Sequence, residues 1–245
     1  MATLAIGHGR PSAERLFYTG IAIAMFAAVF LGFARSFFLR PWFPEVPAPT
    51  EPVFFVHGVA FTAWLVLLVV QPALVAAHRT DLHRKLGWTG AGLAAAMVAL
   101  GVLGALVAAR RPTGFVGIPV PPLQFLAVPL FDMVLFPTFV ALAIAKRRDT
   151  QSHKRLMLLA SVNLLAAGIA RWPFAMMQAG PPVYFGLSDL FIVALVAWDL
   201  ASRGRVHPVT LWGGLAIVVS QPLRLVLSGT GAWMAFAGWA VGLLG

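Results

Sequence analysis

Two histidines, His83 and His153, stand in similar short segments of the sequence. Residues 79–86 (RTDLHRKL) are similar to residues 148–156 (RDTQSHKRL): each has an acid, a histidine, two basic residues and then an apolar run. Helical bundles hold b-type haem between histidines on facing helices. We therefore predict His83 and His153 as haem ligands at one membrane boundary. The propionates would lie near four basic residues: Arg84, Lys85, Lys154 and Arg155.

A second group of polar residues interrupts the apolar segments. At about 1.5 Å per residue along a helix, its members fall at similar depth in the half of the membrane away from His83. Ionisable groups at such depth mark either a functional site or a buried salt-bridge network. A site there would suit a quinone-like molecule, or an anionic substrate in a charge gate. The group comprises His57, Asp132, Arg171, Asp189, Gln221 and Arg224.

Further histidines and aspartates gather at the boundary that holds His83 and His153. His78 and His83 are five residues apart, about 140° around a helix, and the chain has no His-Glu-x-x-His pair. No single segment therefore offers a compact metal site, and the sequence predicts none. The residues in question are His78, His83, His153, His207, Asp81, Asp149 and Asp199.

The elements that position these residues are membrane helices. Of 245 residues, 60% are hydrophobic and only 11% are charged, and the mean hydropathy is +0.87. A spanning helix needs about 20 mostly apolar residues. The sequence contains seven such stretches: 15–37, 53–76, 84–109, 123–145, 154–177, 184–202 and 208–228.

These stretches use nearly the whole chain, which predicts a single all-α membrane domain over residues 1–245. Residues 231–245 are apolar but too few to span, so we expect a short interfacial helix at this end. Residues 1–11 lack the layout of a signal peptide, and the first helix is expected to remain as an anchor.

The basic residues are distributed unevenly between the two membrane faces, which predicts the orientation. If the N-terminus is cytoplasmic, twelve basic residues lie on the inner side and six on or near the outer side, as the positive-inside rule requires. The net charge of +10 then serves orientation and anionic lipid head groups, not nucleic acid. Abundant Ala, Gly, Val and Arg suggest a bacterial cytoplasmic membrane.

Missing residue types exclude several functions. The chain has no cysteine, which excludes disulfides, iron–sulfur clusters and covalently attached c-type haem. Its lysines are Lys85, Lys146 and Lys154, all at the predicted inner boundary. No lysine is therefore buried in a position to carry retinal.

Three short motifs lie at residues 57–64 (HGVAFTAW), 82–88 (LHRKLGW) and 152–157 (SHKRLM). Together with residues 206–213, they resemble a group of uncharacterised bacterial polytopic membrane proteins. In that group an intramembrane histidine precedes a His-Arg-x-Leu-Gly element and later a His-Arg-x-x-Met element. The group is distantly similar to b-type cytochrome and oxidase-assembly bundles, which implies haem binding. The mid-membrane histidine pairs of those cytochromes are absent here.

The sequence thus predicts a redox-associated protein that binds a b-type haem or a quinone-like molecule. The sites would be His83 with His153, or His57 with Arg171 and Arg224. One alternative is a carrier or channel for a small solute, ion or lipid. Another is a scaffold or assembly subunit that acts through a membrane protein partner or a homo-oligomer.

Overall fold

The computed structural model describes residues 13–46 and 51–245, and every regular element in these two ranges is helical. The prediction of an all-α protein is confirmed for this part of the chain. The prediction that residues 1–11 are not a signal peptide concerns residues outside the described ranges. The α-helices are α1 (Ala13–Phe33), α2 (Pro52–Ala76), α3 (Thr80–Arg110), α4 (Pro122–Phe125), α5 (Ala127–Ala145), α6 (Thr150–Ile169), α7 (Pro181–Arg203), α8 (Pro208–Ser228) and α9 (Gly231–Gly242).

Within the described ranges, six helical segments are long and apolar enough to cross a membrane. They are α1 with its π-helical extension to Phe38, α2, α3, α4 continued by α5, α7 and α8. These segments agree with six of the seven predicted stretches to within a few residues. The chain therefore has the make-up of a multi-pass membrane protein.

Helix α6, the remaining predicted span, is the central helix of the bundle. It packs against α1, α5, α7 and α8, and thirteen of its twenty residues are buried. It includes Lys154, Arg155 and Asn163, so it is less apolar than its neighbours. A helix that is surrounded by protein can include polar residues, because it needs no continuous apolar surface toward lipid.

The predicted stretch 154–177 is wrong at its end, because α6 stops at Ile169. The chain then turns and forms a short 3₁₀ helix at Ala175–Ala179. Pro173 explains the stop: it has no backbone N–H, and it disfavours helical geometry at the residue before it. Arg171 consequently lies beyond the helix end.

Glycine lets α1 and α6 approach each other closely. A Cβ atom added to Gly32 would collide with the carbonyl group of Gly168, so no side chain fits between the two backbones. Small residues allow this contact between membrane helices.

The predicted short helix after α8 is present as α9, which packs against α3 and α4. Its Trp233 indole nitrogen donates to the Leu123 carbonyl at 2.8 Å. Just beyond α9, the Leu244 carbonyl accepts from Arg110 Nη1 at 2.8 Å. These bonds hold the end of the chain against the bundle.

Candidate functional site

The bundle has two ends of different composition. The basic end contains the connections 77–79, 146–149 and 204–207, and the proline-rich end contains residues 39–46 and 51 and the connections 111–121 and 170–180.

His83 and His153 lie together at the basic end, each in the first turns of its helix. The centroids of their rings are 6.2 Å apart and the ring planes are nearly perpendicular, at 83°. Helix α3 carries one ring and α6 the other. The two similar sequence segments therefore place their histidines side by side.

A hydrogen bond orients the His153 ring, whereas two polar atoms at and near the His83 ring have no hydrogen-bond partner among the described residues. His153 Nδ1 lies 2.9 Å from the Ala143 carbonyl oxygen, which can only accept, so Nδ1 carries the proton and Nε2 is the free lone pair. Gln71 Nε2 donates to the His83 carbonyl at 3.3 Å. His83 Nδ1 and Gln71 Oε1 are buried without a partner among the described residues.

A buried ion pair, Arg155 with Asp199, lies at the same end and was missed as a pair by sequence reasoning. Both side chains are almost fully buried. Asp199 also accepts from Thr210 Oγ1 at 2.6 Å and from the His207 backbone N–H at 3.0 Å. One carboxylate thus joins α6, α7 and α8. The sequence could have indicated this pair, because Arg155 and Asp199 fall inside neighbouring predicted spans.

The basic residues that were expected near haem propionates divide into two sets. Arg155 is committed to Asp199, and Lys154 pairs with Glu14 of α1 and lies over the Tyr18 ring. Arg84 and Lys85 are exposed. Of these four residues, Arg84 and Lys85 are therefore the two that could reach an anionic group at the basic end.

Two further polar residues at the basic end cap helices. Asp149 accepts from the backbone N–H groups of Gln151 and Ser152 at 3.1 and 3.2 Å, as the N-cap of α6. The Ser152 hydroxyl donates to Asp149 at 2.5 Å and holds the pKa of that carboxyl below its ordinary value. His207 caps α8 by accepting from the Val209 N–H at 3.1 Å.

His207 is held in its neutral form. Burial and then the positive charge of Arg155 lower the pKa of His207 below its ordinary value. Its Nδ1 atom needs a lone pair to accept from Val209, so the cap requires this neutral ring. Within the described residues, no three His, Cys, Asp or Glu side chains converge as ligands for a metal ion.

The predicted outer group contains a second buried ion pair, between Arg224 of α8 and Asp132 of α5. Arg224 Nη1 is 2.7 Å from Asp132 Oδ1, and both side chains are buried. Arg224 also donates to Ser220 Oγ at 2.8 Å. Its guanidinium carbon lies 5.6 Å from the Phe131 ring centroid and 5.5 Å from that of Phe185.

Asp189 and Gln221 form a separate pair within this group. Gln221 Nε2 donates to Asp189 Oδ1 at 2.8 Å and joins α7 to α8. No basic group among the described residues lies within ion-pair distance of Asp189. Residues predicted from depth alone therefore do meet across helices, but as separate pairs.

His57 and Arg171 lie apart from both pairs. The His57 ring stacks on Phe61 with centroids 4.0 Å apart and faces α3 near Gly104. Arg171 Nη1 donates to the Ala167 carbonyl at 2.5 Å, and its guanidinium lies 4.9 Å from the Phe33 ring centroid. In the described structure the predicted outer cluster thus divides into two pairs, while His57 and Arg171 are each held by other residues.

Comparison of the chain with protein-family models, curated proteins and solved structures gives no significant match. The resemblance to uncharacterised bacterial membrane proteins stays a prediction, and function must be argued from the site itself.

Proposed function

We propose that this chain is a redox protein of a bacterial cytoplasmic membrane that holds a b-type haem between His83 and His153. The proposal includes seven crossings, α6 among them, with the basic end in the cytoplasm. Exposed tryptophans support the placement: Trp88 and Trp212 lie near the basic end, and Trp42 and Trp239 lie at the other. Tryptophan favours membrane interfaces.

The adjacency of His83 and His153 carries the haem proposal. Two imidazoles on opposite sides of one metal ion, each with a metal–nitrogen distance of about 2 Å, have centroids about 6.3 Å apart. The observed separation is 6.2 Å. The spacing of the rings would allow both histidines to hold one haem iron.

The neighbouring groups also suit ligation. The bond from His153 Nδ1 to Ala143 fixes the tautomer and leaves Nε2 for a metal, an arrangement typical of metal-bound histidines. Exposed Arg84 and Lys85 follow His83 directly and would neutralise anionic substituents of the macrocycle. When bound, haem would supply one-electron transfer.

The visible absorption spectrum tests this proposal. The full-length protein, purified in detergent from haem-supplied cells, should show a Soret band that sharpens on reduction with dithionite. His83→Ala and His153→Ala should each remove the band, while His78→Ala, an exposed histidine at the same end, should keep it. A featureless wild-type spectrum, or a band that survives in both ligand variants, would contradict the proposal.

A carrier is the second candidate function, and the pairs Asp132–Arg224 and Asp189–Gln221 favour it. They place ionisable groups within membrane-crossing helices α5, α7 and α8, where such groups often form ion or proton pathways.

Proteoliposomes loaded with a pH-sensitive dye test the carrier directly. A proton-coupled carrier should dissipate an imposed pH gradient, Asp189→Asn should abolish the flux, and exposed Asp81→Asn should not. No flux above empty liposomes would exclude a proton pathway that operates without a second substrate.

A further inference from the structure

A surface cavity of about 460 Å³ lies at the proline-rich end of the bundle, between α2, α3 and the residues after α9. Helix α2 begins at Pro52 and α3 ends at Arg110, and both helices are long and apolar enough to cross a membrane. The cavity therefore lies where these two segments would leave the apolar layer. The described residues that line it are Glu51, Val107, Arg110, Arg111, Pro112 and Leu244.

The lining carries more positive than negative charge, because its charged side chains are two arginines and one glutamate. Arg111 Nε is 3.4 Å from Glu51 Oε1, so these two charges balance each other. Arg110 Nη1 instead donates to the Leu244 carbonyl at 2.8 Å, and a carbonyl carries no net charge. Among the described residues, no acidic side chain lies within ion-pair distance of Arg110. The cavity thus has one positive charge to offer to an anion.

Contacts with three parts of the chain hold the two guanidinium groups in place. Arg110 is bonded to the segment after α9, and the Arg111 guanidinium carbon lies 5.1 Å from the ring centroid of Phe54 on α2. Arginine has five N–H donors, and Arg110 uses one of them in the described structure. Adjacent guanidinium groups with donors to spare suit the oxygens of a phosphate group.

The remaining lining residues are apolar, which favours a lipid over a free anion. Arg110 is exposed, so water and salt weaken its attraction for a small ion in solution. A phospholipid can also bury apolar surface against Val107, Pro112 and Leu244, and this burial adds to its affinity. The cavity therefore offers a charged contact for a head group and an apolar wall for the chains that follow it.

We propose that this cavity binds the phosphate group of a phospholipid in the leaflet on the proline-rich side, with Arg110 and Arg111 as its contacts. The bound lipid would join α2, α3 and the segment after α9. The site shares no residue with the haem or carrier proposals, so its test is independent of theirs.

Ligand-dependent stabilisation of the full-length protein in neutral detergent tests the site. The probes are dioleoyl phosphatidic acid, dioleoylglycerol, which is the same lipid without its phosphate, and inorganic phosphate. A ligand that binds the folded state raises the melting temperature in a saturable manner. Phosphatidic acid should stabilise the protein, and the other two probes at the same concentration should not.

Two substitutions in the lining should weaken the binding of phosphatidic acid. Arg110→Gln removes the unbalanced charge and should lower the apparent affinity by about tenfold or more. Leu244→Glu places a carboxylate beside the two guanidinium groups, where it competes with the phosphate, and should lower the affinity by about fivefold or more.

Each substitution has a matched control. Arg147→Gln removes an exposed arginine at the basic end that, like Arg110, donates to one backbone carbonyl. Leu243→Glu introduces the same carboxylate one residue earlier, at an exposed side chain outside the cavity lining. Both control variants should bind phosphatidic acid like wild type.

The proposal is overturned if phosphatidic acid does not stabilise the protein, or if dioleoylglycerol stabilises it equally. Equal stabilisation by inorganic phosphate would identify a free anion and also overturn it. A control variant that weakens binding as much as its partner would place the lipid elsewhere. If Arg110→Gln does not fold, Leu244→Glu decides, because Leu244 contacts Arg110 through its backbone carbonyl, which this substitution keeps.

Discussion

Replacing Asp199 with alanine should strongly destabilise the bundle. Asp199 is the partner of fully buried Arg155 and the acceptor for the Thr210 hydroxyl and the His207 N–H. Asp199→Ala leaves a guanidinium charge inside the protein and two polar groups without their acceptor. Three helices lose their common contact through this single change.

The expected magnitude follows from the burial of the pair. Removing one partner of a buried ion pair costs about 3–5 kcal/mol. For a chain of about 150–250 residues, 1 kcal/mol shifts the melting temperature by about 2–4 °C. We therefore expect Asp199→Ala to melt about 6–20 °C below wild type in the same detergent.

Two comparison variants make this result specific. Asp81→Asn breaks the exposed pair with Arg79 and should change the melting temperature little. The double variant Asp199→Leu with Arg155→Met removes both charges and should recover much of the loss, because apolar residues of similar size replace such pairs well. The reasoning is refuted if Asp199→Ala melts like wild type, or if the double variant is no better than Asp199→Ala.

Two further predictions concern a cap and a helix contact. The pKa of His207 in the folded protein is below its ordinary value of 6.5, so the unfolded chain binds the proton more readily and stability falls as the pH drops through about 6.5. Asparagine can cap the helix without titrating. The melting temperature of His207→Asn should therefore drop less than that of wild type between pH about 7.5 and about 5.5. An equal drop in both proteins would show that protonation of His207 does not cause the loss of stability. Gly32→Ala should destabilise by about 1–3 kcal/mol because its Cβ meets the Gly168 carbonyl, whereas Gly20→Ala, with open space around it, should not. Thermal melting of both variants checks this, and equal melting temperatures would refute the close contact.

Helix limits were readable from the sequence wherever an apolar run met a charged or proline-rich connection. The predicted stretches for α2, α3, α5, α7 and α8 agree with the structure because lipid-facing helices must be apolar along their length. The end of α6 was misjudged because most residues between Ile169 and Met177 are again apolar, although Pro173 was a visible stop signal.

Side-chain partners were harder to predict than helix limits. Depth along a helix correctly grouped Arg224 with Asp132 and Gln221 with Asp189. It could not separate His57 from them, because depth does not specify how each helix is rotated about its axis or which helices are neighbours. The cavity beside Arg110 and Arg111 was overlooked, because only the structure shows that the end of the chain lies against α3.

The polar character of α6 has a consequence for how the protein is made. Until α7 has left the ribosome, Arg155, in the second turn of α6, has no Asp199 to meet, and an unpaired arginine within a nascent helix resists release into lipid. In the proposed seven-span topology, α6 would therefore depend on later segments for stable integration. We expect a chain truncated before residue 199 to remain at the insertion machinery or be degraded, and the last helices would then act as an assembly checkpoint.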